Sequence, residues 1–383
     1  MSSPWCLNRG SMEFNRTDIR IERNILLRIT LRRIHLLLAL LSGFLLINIS
    51  ISGGLLIYAK EIQTIINPQY WLLTDKQIEE PLLTLSEITV KIEQQTEQKI
   101  QFIQPEENLQ RSWQVRLVNK SYLSINPHTG NILLAYEFVD TFYGFTMSWH
   151  RWLLYTNDDN EKPMQLWVSI ASLIFIIELL IGFWLWVKPK HRLKRLKVRW
   201  KAKNKIRLTQ LHGTIGVIFI IPLVLIAFSG IAFFWQDTTK QIVEWFSVSK
   251  IEQHNYKAVI SPSKEPYQLN KAFNNAQLAL AEGGIYRIYL PNKPTEPLAL
   301  RIKMPEESHA NSWSWANPYT GQVLHTYDAS LSSWASQIWN FKYKFHIGDF
   351  IGWPVKVLWL VISMMPSFFI LSGIYLWRKR SVV

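Results

Sequence analysis

The sequence predicts a membrane α-helical protein: a four-helix transmembrane bundle carrying two extracytoplasmic α+β domains, built as an internal tandem repeat. Three observations predict it. Four apolar runs, Ile34 to Tyr58, Leu166 to Val187, Leu211 to Trp235 and Val355 to Trp377, each reach the roughly 20 residues that cross a bilayer and hold almost no charge. Two of them superimpose without a gap, since the spacings from His35 to Ser52-Gly53 to Tyr58 recur from His212 to Ser229-Gly230 to Trp235. Each of these two runs leads into a long polar region with an Asn-Pro-aromatic-Thr-Gly turn, Asn126 to Gly130 or Asn317 to Gly321. A second histidine, His150 or His346, and a second apolar run then follow.

Taken in order, residues 1–33 form a basic tail with Arg16, Arg20, Arg23, Arg28, Arg32 and Arg33. Its first eleven residues read as unstructured, and Met12 is an alternative start. The first span, 34–59, has a basic lead-in like that of a signal peptide. It is longer than an h-region and lacks a small-x-small cleavage site before Lys60, so it reads as a retained anchor. Residues 60–163 are the first outer domain and 164–187 the second span. The link 188–210 holds eleven Lys or Arg between Lys188 and Arg207 and no acidic residue. The third span is 211–235, the second outer domain 236–353, the fourth span 354–377, and the tail 378–383 contains Arg378-Lys379-Arg380. Basic short segments belong on the cytoplasmic side, which places both termini inside and the two long regions outside a bacterial inner membrane. The net charge of +14 is then mostly topology. The basic link is what holds a loop to an anionic leaflet, so the partner is the lipid bilayer, and no nucleic acid is expected.

Both outer domains read as small α+β units. In the first, Thr84-Leu85-Ser86-Glu87 is a capping box opening a short helix with Leu85, Ile88 and Ile92 on one face. Alternation then gives strands at Ile100 to Ile103, Trp113 to Val118, Tyr122 to Ile125 and Ile132 to Tyr136. The second repeats this, with a helix over Gln268 to Glu282 and strands at Ile285 to Leu290, Ala299 to Met304, Ser312 to Ala316 and Val323 to Tyr327. In each turn Pro fixes φ and Gly supplies positive φ, which is structural chemistry. His128 stands where the other copy has Tyr319 and reads as a surface turn residue.

Several chemistries are absent from the sequence. The single cysteine, Cys6, offers no disulfide and no Cys-based metal site. There is no Gly-x-Ser-x-Gly elbow, phosphate-cradling loop, His-Glu-x-x-His helix or Gly-x-Gly-x-x-Gly fingerprint, so any nucleotide chemistry belongs to a separate electron donor. His191 lies in the basic link, and His254, His309 and His325 lack metal-like spacing. Glu178 is a carboxyl in mid-span, which is costly in lipid. Pro222, Pro354 and Pro366 are expected to bend or start helices.

Four histidines remain. The first and third helices run outward and the second and fourth inward, which puts His35 with His212 at the cytoplasmic edge and His150 with His346 at the outer edge. One histidine at a membrane edge is most often an anchor, but Trp, Tyr and Lys serve that purpose equally well. Paired imidazoles from facing helices are the ligand set of a six-coordinate haem, and two such sites would form a wire across roughly 30 Å of hydrocarbon. Arg33 and Arg151, beside these histidines, suit haem propionates. Small residues at 42–43, 52–54 and 229–230 leave room between helices.

Helix, strands and an Asn-Pro-x-Thr-Gly turn between membrane helices resemble the PepSY domain. Arg32-Arg33-Ile34-His35, Ser148 to Leu154, Leu211-His212-Gly213 and Phe345 to Gly352 resemble the PepSY-associated transmembrane family, which includes di-haem ferrisiderophore reductases and inner-membrane iron-uptake proteins. The resemblance implies two b-type haems on those four histidines and electron delivery to a ferric siderophore or other iron chelate outside. Asp158, Asp159 and Glu161 follow His150, which sets that histidine higher above the bilayer than His346. Two other functions fit the pattern: restraint of an extracytoplasmic peptidase by the PepSY domains, or iron-chelate transport without redox change.

Overall fold

The first helix, α1, starts at Arg9 and runs unbroken to Ile57, so the basic tail and the first apolar run are one helix. The computed structural model describes residues 9–188, 193–252, 256 and 259–379, with side chains from residue 23 onward in the first stretch. Cys6, His191 and His254 lie outside the described residues. After α1 come α2 (Ala59–Ile66), α3 (Pro68–Trp71) and α4 (Leu85–Thr96). Strands β1 (Ile100–Gln104), β2 (Trp113–Leu117), β3 (Tyr122–Ile125) and β4 (Ile132–Tyr136) lead to α5 (Phe142–Trp152). The chain continues through α6 (Met164–Val187), α7 (Asn204–Ile218), α8 (Ile220–Ile231), α9 (Gln236–Ser247) and α10 (Leu269–Leu278). Strands β5 (Gly284–Tyr289), β6 (Leu298–Lys303), β7 (Ser312–Ala316) and β8 (Val323–Tyr327) precede α11 (Trp334–Ile347), α12 (Trp353–Ser363) and α13 (Met365–Arg378). Contacts divide the chain into two units, Met1–Ile51 with Pro163–Ile231 and Val361–Val383, and Ser52–Lys162 with Ala232–Leu360.

Among the described residues, three helical stretches are long and apolar enough to cross a membrane: Arg23–Ile57, Met164–Val187 and Trp353–Arg378. The third expected span is not straight. It breaks at Phe219, and its halves α7 and α8 meet at 66°. Pro222 accounts for the break, because it lacks an amide proton and its ring crowds the carbonyl four residues back, at Ile218. Pro354 and Pro366 instead sit in the first turns of α12 and α13, where proline is tolerated. In the helical unit α1 and α13 meet closely at Gly43, where a Cβ would stand 3.1 Å from Ile370 Cγ2. Apolar side chains also face outward, Phe44 being 75 % exposed, which suits a lipid environment.

The second unit holds an eight-stranded antiparallel sheet of order β4-β3-β2-β1-β5-β6-β7-β8. The two outer domains read from the sequence are therefore halves of one sheet, joined where Phe102 pairs with Tyr289 and Ile103 with Ile288. They also share one aliphatic core: Ile103, Val115 and Leu123 from one half and Ile288, Leu300 and Ile302 from the other are all buried together under α4 and α10. Thr84 and Glu87 close the expected capping box on α4, with Thr84 N–H donating to Glu87 Oε2 at 2.8 Å. In the two turns, Asn126 Oδ1 and Asn317 Oδ1 accept from the amides of His128 and Tyr319, and Gly130 and Gly321 take φ of 77° and 75°. His128 is not a surface residue. It is 5 % exposed and its Nδ1 bonds the Glu80 carbonyl, while Tyr319, also buried, donates to Pro294 O at 3.2 Å. In each half the aromatic turn residue thus ties the turn to a neighbouring loop.

The opposite face of the sheet has a different chemistry. Its central row reads Tyr136, Tyr122, Arg116 and Phe102 from β4 to β1. It continues as Tyr289, Ala299, Trp315 and His325 from β5 to β8. In the next row Arg287 lies across from Arg301, and Arg301 across from Trp313.

Candidate functional site: two histidine pairs

α1 carries His35 and α7 carries His212, and the helical unit brings their rings to a centroid separation of 6.4 Å at 85°. Metal–imidazole nitrogen bonds run about 2.0–2.1 Å, so two imidazoles on opposite sides of one ion have centroids about 6 Å apart. The pair has that spacing. Ser372 on α13 donates to the Phe369 carbonyl at 3.1 Å and lies 2.8 Å from His212 Nδ1. A hydroxyl has one proton, so this assignment makes Ser372 Oγ the acceptor and Nδ1–H the donor, leaving the Nε2 lone pair of His212 for a metal. His35 Nδ1 is buried with no hydrogen-bond partner among the described residues, while the His35 ring also meets the Glu178 backbone. Phe369 packs its ring 5.2 Å from that of His212.

These side chains line a cavity of about 290 Å³, near the lower bound of roughly 300 Å³ for ligand pockets. Glycines keep it open: a Cβ at Gly182 would touch His35 Cε1 at 3.5 Å, and one at Gly373 would reach His212 Cε1 at 4.0 Å. Arg28, Arg32, Arg195 and Glu178 are among the lining residues. Glu178 is 5 % exposed and accepts from Ser42 Oγ at 3.3 Å. Arg33 is exposed and stands outside this lining. The residues that would hold a porphyrin here are His35 and His212, with Arg28, Arg32 and Arg195 suited to its carboxylates.

In the sheet-bearing unit, α5 carries His150 and α11 carries His346, with ring centroids 6.1 Å apart at 50°. Ser52 Oγ lies 3.3 Å from His150 Nδ1 and fixes the orientation of that ring. Gly53 lies against the same ring, where a Cβ would fall 3.0 Å from Cε1. Phe233 packs 5.5 Å from His346. Arg151 follows His150 on α5, its guanidinium 5.7 Å from the Trp152 ring. Among the described residues no cluster of three or more His, Cys, Asp or Glu has metal-site geometry.

The remaining histidines play other parts. His325 stacks on Tyr256 at 4.5 Å, and His309 is held between Tyr286 and Tyr343 at 4.9 and 4.8 Å. Burial, with Arg301, Lys344, Arg287 and Lys303 nearby, pushes the His309 imidazole down to about 3. Sequence reasoning passed over Ser372, Gly373 and the arginines at 28, 32 and 195. The signal for the first two was present: Ser372-Gly373 is a further copy of the Ser-Gly dipeptide at 42–43, 52–53 and 229–230.

Apolar spanning helices joined to one antiparallel sheet define a membrane protein with an attached α+β body. The chain belongs to the family of the PepSY-associated TM region, whose model matches residues 32–380 and so covers all four apolar runs. No curated protein is a match for it.

Proposed function

We propose that this protein is a bacterial inner-membrane haem protein that passes electrons across the bilayer to ferric chelates, a ferrisiderophore-reductase-like activity in iron uptake. The observation that carries the reading is the pair of ring separations, 6.4 Å for His35 and His212 and 6.1 Å for His150 and His346. Two b-type haems would be held by His35 with His212 and by His150 with His346, and would supply one-electron chemistry suited to relay.

The chain's own groups do the rest. Ser372 holds His212 in the tautomer that presents Nε2, and Ser52 does the corresponding work at His150 Nδ1. Arg28, Arg32 and Arg195 give the inner cavity a cationic edge suited to carboxylates. Gly53, Gly182 and Gly373 keep side-chain bulk away from the imidazoles. The substrate is Fe(III) in hard oxygen ligands, which is released on reduction because Fe(II) binds such ligands far less tightly. The electron donor is a separate membrane or cytoplasmic protein.

An absorption spectrum of the purified full chain tests this. Sharp low-spin Soret and α bands are expected, halved by His→Ala at either pair. A colourless protein, or one whose bands survive all four substitutions, overturns the reading.

A further inference from the structure

The two faces of the sheet differ in a way that burial alone does not require. The face under α4 and α10 is aliphatic, as a core should be. The other face is aromatic and cationic. The Cζ of Arg287 lies 4.1 Å from the Phe102 ring centroid, that of Arg301 5.3 Å from Tyr286, and that of Arg116 5.5 Å from Tyr122. Arg287 and Arg301 are cross-strand partners, and like charges directly opposite one another repel.

Among the described residues none of these three arginines makes an ion pair. Arg287 donates only to neutral groups, Gln104 Oε1 at 2.7 Å and Tyr289 Oη at 3.2 Å, so its charge is positioned but not neutralised. The Nε atoms of Arg116 and Arg287 are buried without a hydrogen-bond partner among the described residues. Arg301 Nε donates to the Ala310 carbonyl at 2.7 Å, again a neutral group, and half-buried guanidiniums without a carboxylate partner, set among rings, ask for an anion.

The face also leads to the outer histidine pair. Tyr286 touches His309, His309 touches Tyr343, and Tyr343 lies one turn before His346 on α11. A ligand on this face would therefore lie against the element that carries His346.

We propose that this sheet face binds ferric chelates whose iron is held by catecholate rings. Such chelates are aromatic, which matches the half-buried rings of Tyr286, Tyr289 and Trp313 beside Arg287 and Arg301, and strongly anionic, which matches the uncompensated arginines. A neutral hydroxamate chelate offers neither stacking rings nor charge and leaves the guanidiniums unpaired. The proposal rests on the reductase reading for its choice of iron chelates as the ligand class.

The test uses the full chain in detergent and gallium(III) chelates, which mimic the ferric ones but accept no electron. Calorimetric titration is expected to give at least tenfold tighter binding of a hexadentate tris-catecholate complex than of a neutral trihydroxamate complex. The double variant R287Q/R301Q is expected to lose at least tenfold for the catecholate complex and to leave the hydroxamate value unchanged. If that variant does not fold, R116Q is read in the same way, and the two-chelate comparison on the unaltered chain stands by itself. Equal affinity for the two chelates, or undiminished catecholate binding by the folded double variant, overturns the proposal. A colourless protein that still selects the catecholate complex removes the reductase reading and keeps this site, while a haem-bearing protein indifferent to it does the reverse.

Discussion

Ser372→Ala is the sharpest probe of the His35–His212 pair. The hydroxyl accepts from His212 Nδ1 at 2.8 Å while donating its proton to the Phe369 carbonyl. Alanine fits the space and removes only that orientation. One neutral hydrogen bond contributes about 0.5–1.5 kcal/mol, and loss of an outer partner of a metal-bound histidine typically costs about 10–100-fold in affinity. Both estimates overlap near a tenfold loss, or about 1.4 kcal/mol. The assay is the rate of haem transfer from the purified protein to excess apomyoglobin. Two kinetic phases are expected, and Ser372→Ala should accelerate one about tenfold while leaving the other untouched; His212→Ala should abolish that same phase. If Ser372→Ala alters neither phase, or accelerates both alike, the argument from tautomer and orientation is wrong.

Other outcomes follow from the same geometry. Gly53→Ala places a Cβ 3.0 Å from His150 Cε1, so the ring must give by a few tenths of an ångström, and of the two proposed haem signals only that of the His150–His346 pair should shift or bleach. Ile103→Ala at the junction of the two half-sheets removes a fully buried side chain and should cost about 2–5 kcal/mol. Limited proteolysis should then open both halves together, because they share a core; cleavage confined to one half would argue against a single cooperative sheet. His309 gives a pH signature. Its folded imidazole sits near 3, below the ordinary 6.5, so the unfolded chain binds the extra proton between those values and stability falls as pH drops through that window. Thermal melts from pH 7 down to pH 4 should show a steeper loss for the unaltered protein than for His309→Gln, and parallel curves would contradict the burial argument.

Much of this was legible in the sequence because it is local or repeated. The Thr84–Glu87 capping box, the strands at Tyr122–Ile125, Ile132–Tyr136, Ser312–Ala316 and Val323–Tyr327, and the positive φ of Gly130 and Gly321 depend on a few neighbouring residues. The histidines could be sorted into pairs because the repeat fixes the direction of each helix, and the structure brings the same pairs together. What could not be read depends on residues far apart in the chain. The Ile103–Ile288 pairing makes one sheet of two domains, and nothing near either residue announces it. Arg33 was chosen for adjacency to His35, yet on a helix neighbouring residues point about 100° apart, and residues one or two turns back, Arg32 and Arg28, line the cavity instead. His128 looked like a surface turn residue by substitution pattern, but it is buried, and the loop that covers it lies far upstream, at Glu80.

The join between β1 and β5 also orders the protein's biogenesis. Until α6, α7, α8 and β5 have been synthesised, β1 has β2 on one side and nothing on the other, leaving a bare, largely apolar edge centred on Ile103. Such an edge templates adventitious strand addition. A ribosome stalled or a chain truncated before Gly284 would thus release a half-sheet prone to self-association, and the nascent first half would depend on prompt arrival of the second or on a holdase outside the membrane.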